Sequence, residues 1–92
     1  MNKLEAELSV KRMIRFDGEG SLKAFCDLAV GEMLLIKGLR VVEGKNGLFV
    51  SMPRQQGKDA KWYESVVALT KEAKEEVSKV VLEAYQQEAI GF

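Results

Sequence analysis

Apolar and polar positions alternate from the start of the chain. Leu4, Ala6, Leu8 and Val10 fall on one face, with Lys3, Glu5, Glu7, Ser9 and Lys11 on the other. A period of two predicts a half-buried strand. Met13 and Ile14 break the rhythm, and Asp17-Gly18-Glu19-Gly20 has the composition of a turn. Alternation resumes at Leu22, Ala24, Cys26, Leu28 and Val30, a second strand. Gly31-Glu32 then suits a two-residue hairpin in which glycine supplies the positive φ. A third strand is predicted from Met33 to about Glu43, and Gly44-Lys45-Asn46-Gly47 turns the chain into Leu48–Met52 before Pro53 stops the ladder.

Pairing Val30 with Met33 across the first turn sets Leu28 against Leu35, Ala24 against Leu39 and Leu22 against Val41. Leu39 and Val41 then meet Met52 and Val50 across the second turn. One face of three strands is consistently apolar, as a correct register requires. The same pairing sets Phe25 against Gly38, Ala29 against Leu34, Asp27 against Ile36 and Val42 against Phe49. The opposite face therefore carries a second apolar patch, whose members Phe25, Leu34, Ile36 and Phe49 are the expected homodimer interface.

The C-terminal segment changes period. Ala73, Val77, Val80, Val81, Ala84 and Tyr85 recur at three- and four-residue steps, which predicts an amphipathic helix with Thr70 as N-cap, Glu72 in the first turn and Gly91 at its end. Between Pro53 and Thr70 lie a polar loop, Arg54 to Lys61, and a β-prone stretch, Trp62 to Leu69, read as a short last strand whose Trp62 and Tyr63 pack inward. The expected architecture is α+β: an antiparallel meander of four to five strands with one helix on one face, in a single domain spanning residues 1–92.

Composition narrows the function. Fourteen basic and fourteen acidic residues cancel, so any nucleic-acid contact has to be a local patch. Histidine is absent, which removes imidazole acid–base catalysis and the commonest transition-metal ligand. Nothing singles out a carboxylate or lysine for chemistry, no metal-ligand set or cofactor motif is present, and the expectation is not an enzyme. The single cysteine, Cys26, falls on the apolar face and reads as an inert buried thiol. Met33 and Met52 read as core fillers. No apolar run approaches a membrane span, the charged start is unlike a signal peptide, and the cytoplasm is the expected location.

The fifteen residues Leu39-Arg40-Val41-Val42-Glu43-Gly44-Lys45-Asn46-Gly47-Leu48-Phe49-Val50-Ser51-Met52-Pro53 resemble the signature of the stage V sporulation protein G (SpoVG) family. In that family a strand ending in two β-branched residues and an acid leads through Gly-x-Asn-Gly into Leu-Phe-Val and Met-Pro. Trp62-Tyr63-Glu64 and Leu82-Glu83-Ala84-Tyr85 extend the resemblance over nearly the whole chain. It implies a homodimeric bacterial regulator of sporulation, septation and surface-polymer genes that binds DNA and RNA. After Met-Pro the family usually carries consecutive basic residues. Here Arg54 stands one place early, Gln55 and Gln56 occupy the usual lysine or arginine positions, Ala60 replaces a turn glycine and Ala68 a proline.

The candidate binding element is accordingly the post-Met-Pro loop, with Arg54, Lys58 and Lys61 for phosphate and Gln55 and Gln56 for phosphates or base edges. The alternative is a solvated loop on a protein-interaction module in septation or sporulation control that never touches nucleic acid. Lys11, Arg12 and Arg15 form a second basic cluster, read as a charged edge that discourages strand-to-strand association. Phe25 and Phe49 suit a protein interface or, alternatively, base stacking.

Overall fold

A computed structural model describes residues 7–90, with side chains to residue 87. Leu4 and Ala6 of the predicted first strand, and Gly91 at the predicted helix end, lie outside the described residues. Strands β1 (Leu8–Arg15), β2 (Leu22–Val30), β3 (Leu34–Gly44) and β4 (Gly47–Ser51) form an antiparallel meander in chain order. Strands β5 (Arg54–Gln56) and β6 (Trp62–Glu64) pair only with each other, and α1 (Lys71–Ile90) closes the fold. The α+β class is as expected.

The core lies between the sheet and α1. Ala24, Cys26 and Leu28 of β2, Leu39 and Val41 of β3, Val50 of β4, then Met52 and Val81, form one buried cluster. Burial pushes the Cys26 thiol up to about 11, assisted by the nearby Asp27 charge, so the sulfur stays protonated and inert at neutral pH.

The register differs from the predicted one at the first hairpin. Val30 pairs with Leu34, so the turn holds three residues, Gly31, Glu32 and Met33, with Gly31 at φ +57°. Met33 is 86% exposed and is no core filler. At Gly38, a bulge at φ +89° between the pairs Asp27–Lys37 and Cys26–Leu39, the pairing slips by one residue more, which restores the predicted faces but not the predicted partners. Beyond the bulge Leu39 and Val41 face inward as expected; before it the faces are exchanged. Ala29 therefore opposes Leu35 rather than Leu34, Asp27 opposes Lys37 rather than Ile36, and Phe25 opposes Arg40 rather than Gly38. Farther along β2, Ala24 meets Val41 and Leu22 meets Val42.

The expected interface quartet is consequently divided. Phe25 and Phe49 alternate with buried neighbours and point away from the helix, whereas Ile36 packs against the core. Leu34, 63% exposed, sits at the hairpin tip.

A second bulge, at Lys11, carries β1 past Met13 and Ile14, which therefore continue the strand instead of ending it. The three basic residues of β1 part company. Lys11 lies exposed in the bulge of an edge strand, as the edge reading requires. Arg12 opposes Asp27, and Arg15 turns to the helix side.

In α1 the hydroxyl of Thr70 accepts a hydrogen bond from the Ala73 amide at 3.0 Å, the predicted cap. Residues Lys71 to Glu76 are all exposed, Ala73 included, so docking begins only at Val77. Val81 is fully buried, with Val77, Val80, Leu82 and Tyr85 around it. Arg15 fixes the other end. Its guanidinium lies 4.4 Å from the Tyr85 ring centre and donates a charge-assisted hydrogen bond to the Tyr85 carbonyl.

Candidate nucleic-acid interface

Pro53 cannot donate to a ladder, so β4 stops at Ser51 and the chain leaves the sheet. The segment predicted as a loop is instead a small antiparallel arm. Arg54 pairs with Glu64, Gln55 with Tyr63 and Gln56 with Trp62, and all six side chains are exposed. Trp62 and Tyr63, at 59% and 52% exposure, are surface residues of this arm, not core, and the predicted last strand stops at Glu64. Ser65 anchors the base by donating its amide to the Pro53 carbonyl at 2.9 Å.

Asp59 organises the tip, where Lys58 and Lys61 also lie exposed. One carboxylate oxygen accepts the Tyr63 hydroxyl at 2.6 Å, and the other accepts the Lys61 amide at 3.1 Å. Gly57 is required here, since a Cβ would stand 2.9 Å from the Tyr63 ring. The Gln56 side-chain amide donates to the Ala60 carbonyl at 3.1 Å, so part of its donor capacity serves the arm itself. Strand alternation sets Arg54, Gln56, Trp62 and Glu64 on one side and Gln55 and Tyr63 on the other.

The hydrogen bond from Tyr63 holds the Asp59 carboxyl below its ordinary value of 3.8, and the same bond raises the Tyr63 hydroxyl above 10.0. A depressed carboxyl pKa contributes order that is present above 3.8 and lost as pH falls through the lower folded value. A raised phenol pKa contributes order present below 10.0 and lost as pH rises through the higher one. Trp62 fluorescence is therefore expected to be flat between these limits and to change at both ends. Asp59→Ala should abolish the acid inflection and bring the alkaline one down toward the ordinary phenol value; an acid inflection that survives would belong to another group.

Arg54 links the arm to the helix-free face of the sheet. There a shallow depression of about 280 Å³ is lined by Ser21, Leu22, Arg40, Val42, Phe49, Ser51 and Arg54. Arg40 was absent from the sequence-derived set because the predicted register paired Phe25 with Gly38. The real pair is Phe25–Arg40, with the guanidinium 5.7 Å from the ring centre. No helix among the described residues is long and apolar enough to cross a membrane.

The SpoVG family profile matches residues 6–87. The chain belongs to the SpoVG family. It is 36% identical over 83 residues to an Archaeoglobus fulgidus protein named "Putative septation protein SpoVG", an alignment covering 90% of this chain and 98% of the relative. Proteins of the same name from Symbiobacterium thermophilum and Clostridium perfringens are 39% and 26% identical over 74 and 76 residues. Those alignments cover 80% and 83% of this chain, and 53% and 84% of the respective relatives.

Two details of this SpoVG chain gain a physical meaning. In the turn segment Gly44 pairs with Gly47, and the Phe49 ring covers Gly44 so closely that a Cβ there would meet Cε1 at 3.0 Å. The motif glycine is thus a seat for the aromatic as well as part of a turn. In the arm, Ala60 takes φ +67°, the left-handed conformation that suits the glycine of the SpoVG pattern.

Proposed function

We propose that this chain is a small dimeric regulator in septation or sporulation control that binds nucleic acid through the Arg54–Glu64 arm. The observation that carries the reading is the arm itself. It is a self-paired ribbon with every strand side chain exposed, bearing Arg54, Lys58 and Lys61 on a chain of zero net charge. The names of its relatives support the septation setting.

Phosphate contacts displace counterions, so the arm makes a quantitative claim. Arg54 and Lys58 on two protomers neutralise roughly four phosphates, for a log–log salt slope of about −3 to −4 on duplex DNA. Arg54→Ala should flatten that slope by about two units in a dimer, measured by fluorescence anisotropy across a salt series. Discrimination between sequences should not change, because phosphate contacts position without specifying. No salt-dependent binding, and no response to Arg54→Ala, would replace this reading with a protein-interaction module.

For the dimer, the motive is exposed apolar surface at the first hairpin. Leu34 is 63% exposed, beside Met33 at 86% and Leu35 at 47%. Light scattering should give twice the 10.3 kDa chain mass, and Leu34→Glu should shift it toward the monomer. A monomer at every concentration rejects the dimer, and a dimer indifferent to Leu34→Glu moves its interface elsewhere.

A further inference from the structure

The helix-free face of the four-stranded sheet combines aromatic rings with cations. Phe49 is 48% exposed, Ile14 40% and Phe16 37%, and the Phe16 ring meets Phe25 edge-to-face at 5.3 Å. The positions of β1–β4 on this side also carry Arg12, Lys37 and Arg40. Among the described residues of these strands their one facing carboxylate is Asp27, which has Arg12 and Lys37 as its two ladder partners. Lys23 is spoken for by Glu43 at 3.5 Å. Arg54 adds a further cation where the arm begins.

We infer that this face is a second nucleic-acid contact, which takes unpaired bases on Phe49 while Arg40 and Arg54 hold the phosphates beside it. The inference rests on the proposed function and adds a strand preference to it. Three observations favour a single strand. The depression is open and, at about 280 Å³, lies at the small end for enclosing a ligand. A broad sheet face does not enter a duplex groove, whose bases moreover spend their faces on each other. The Phe49 ring is pre-positioned by lying over Gly44 and flanked by cations, as stacking platforms for single strands are built. The excess of cations on the face suits a polyanion better than a second copy of the same face.

The test compares oligothymidylate with a duplex of equal length, using the full chain and the variants Phe49→Leu and Gly44→Ala. Phe49 is exposed and leucine keeps its apolar character, while Gly44 has no positive φ and accepts alanine, whose Cβ displaces the ring. The unmodified protein should prefer the single strand. Phe49→Leu should weaken that complex about tenfold, with duplex affinity and salt slope unchanged, and Gly44→Ala should weaken it in the same direction. Equal affinity for the two oligonucleotides, or no effect of Phe49→Leu, overturns the inference. The arm reading then stands if Arg54→Ala still flattens the duplex slope. No binding to either oligonucleotide at low salt overturns both. A Phe49→Leu variant that changes dimer mass instead of oligonucleotide affinity reassigns the face to a protein interface.

Discussion

Val81→Ala is expected to destabilise the fold by about 2–3 kcal/mol, because it removes two methyl groups from a site where the helix alone can fill the space. Among the described residues of α1, Val81 is the one fully buried side chain, packed into the cluster of Leu28, Leu39, Val41 and Met52. In a domain this small the loss should lower the melting temperature by roughly 10 °C or more. Lys74→Ala, in the exposed first turns, should stay within about half a kcal/mol. Urea denaturation of the two variants side by side measures the contrast. Equal, small effects would mean that the helix does not dock as described.

Arg15→Ala should cost a comparable amount, about 2–3 kcal/mol, for a different reason. The guanidinium stacks on Tyr85 and donates a charged hydrogen bond to its carbonyl, so one side chain ties edge strand β1 to the far part of α1. Lysine lacks the flat fork and should recover less than half of the loss. A double-mutant cycle with Tyr85→Leu reads the coupling directly, and strictly additive losses would show that the pair does not act as a unit.

Much of the fold was legible because burial enforces alternation. Leu28, Leu39, Val41, Val50 and Val81 were recognisable as interior from their periods alone, and Thr70 as a cap from its place before the stripe. What escaped were the one-residue irregularities. Glycine at position 31 reads equally well as the first residue of a two- or a three-residue turn, and Gly38 has no side chain to mark a bulge. Each leaves the composition of the strand unaltered while exchanging its faces, which is how Ile36 was assigned to an interface and Arg40 was passed over. The arm was missed for a related reason. Its strands are three residues long, and nothing in Arg54–Gln56 alternates because neither of its sides is buried. Trp62 and Tyr63 looked like core on hydrophobicity alone, yet the chain had already left the sheet at Pro53.

Two of the three bulges among the described residues stand on either side of Asp27, Lys11 in β1 and Gly38 in β3; the third is at Lys23 of β2, between the pairs Leu22–Val42 and Ala24–Val41. Each works like a frame shift in a text read two letters at a time. Deleting Gly38 would keep every present partner, Lys37 against Asp27 and Leu39 against Cys26, in an unbroken alternation that leaves Ile36 inward, so the loss should be confined to the local twist the bulge adds. An insertion between Ile36 and Lys37 would do what that deletion does not: the new residue would oppose Leu28, turning Ile36 outward and Leu35 inward. Loss of Gly38 should therefore be tolerated far better than a gain between Ile36 and Lys37, a contrast that thermal melts of the two variants would read.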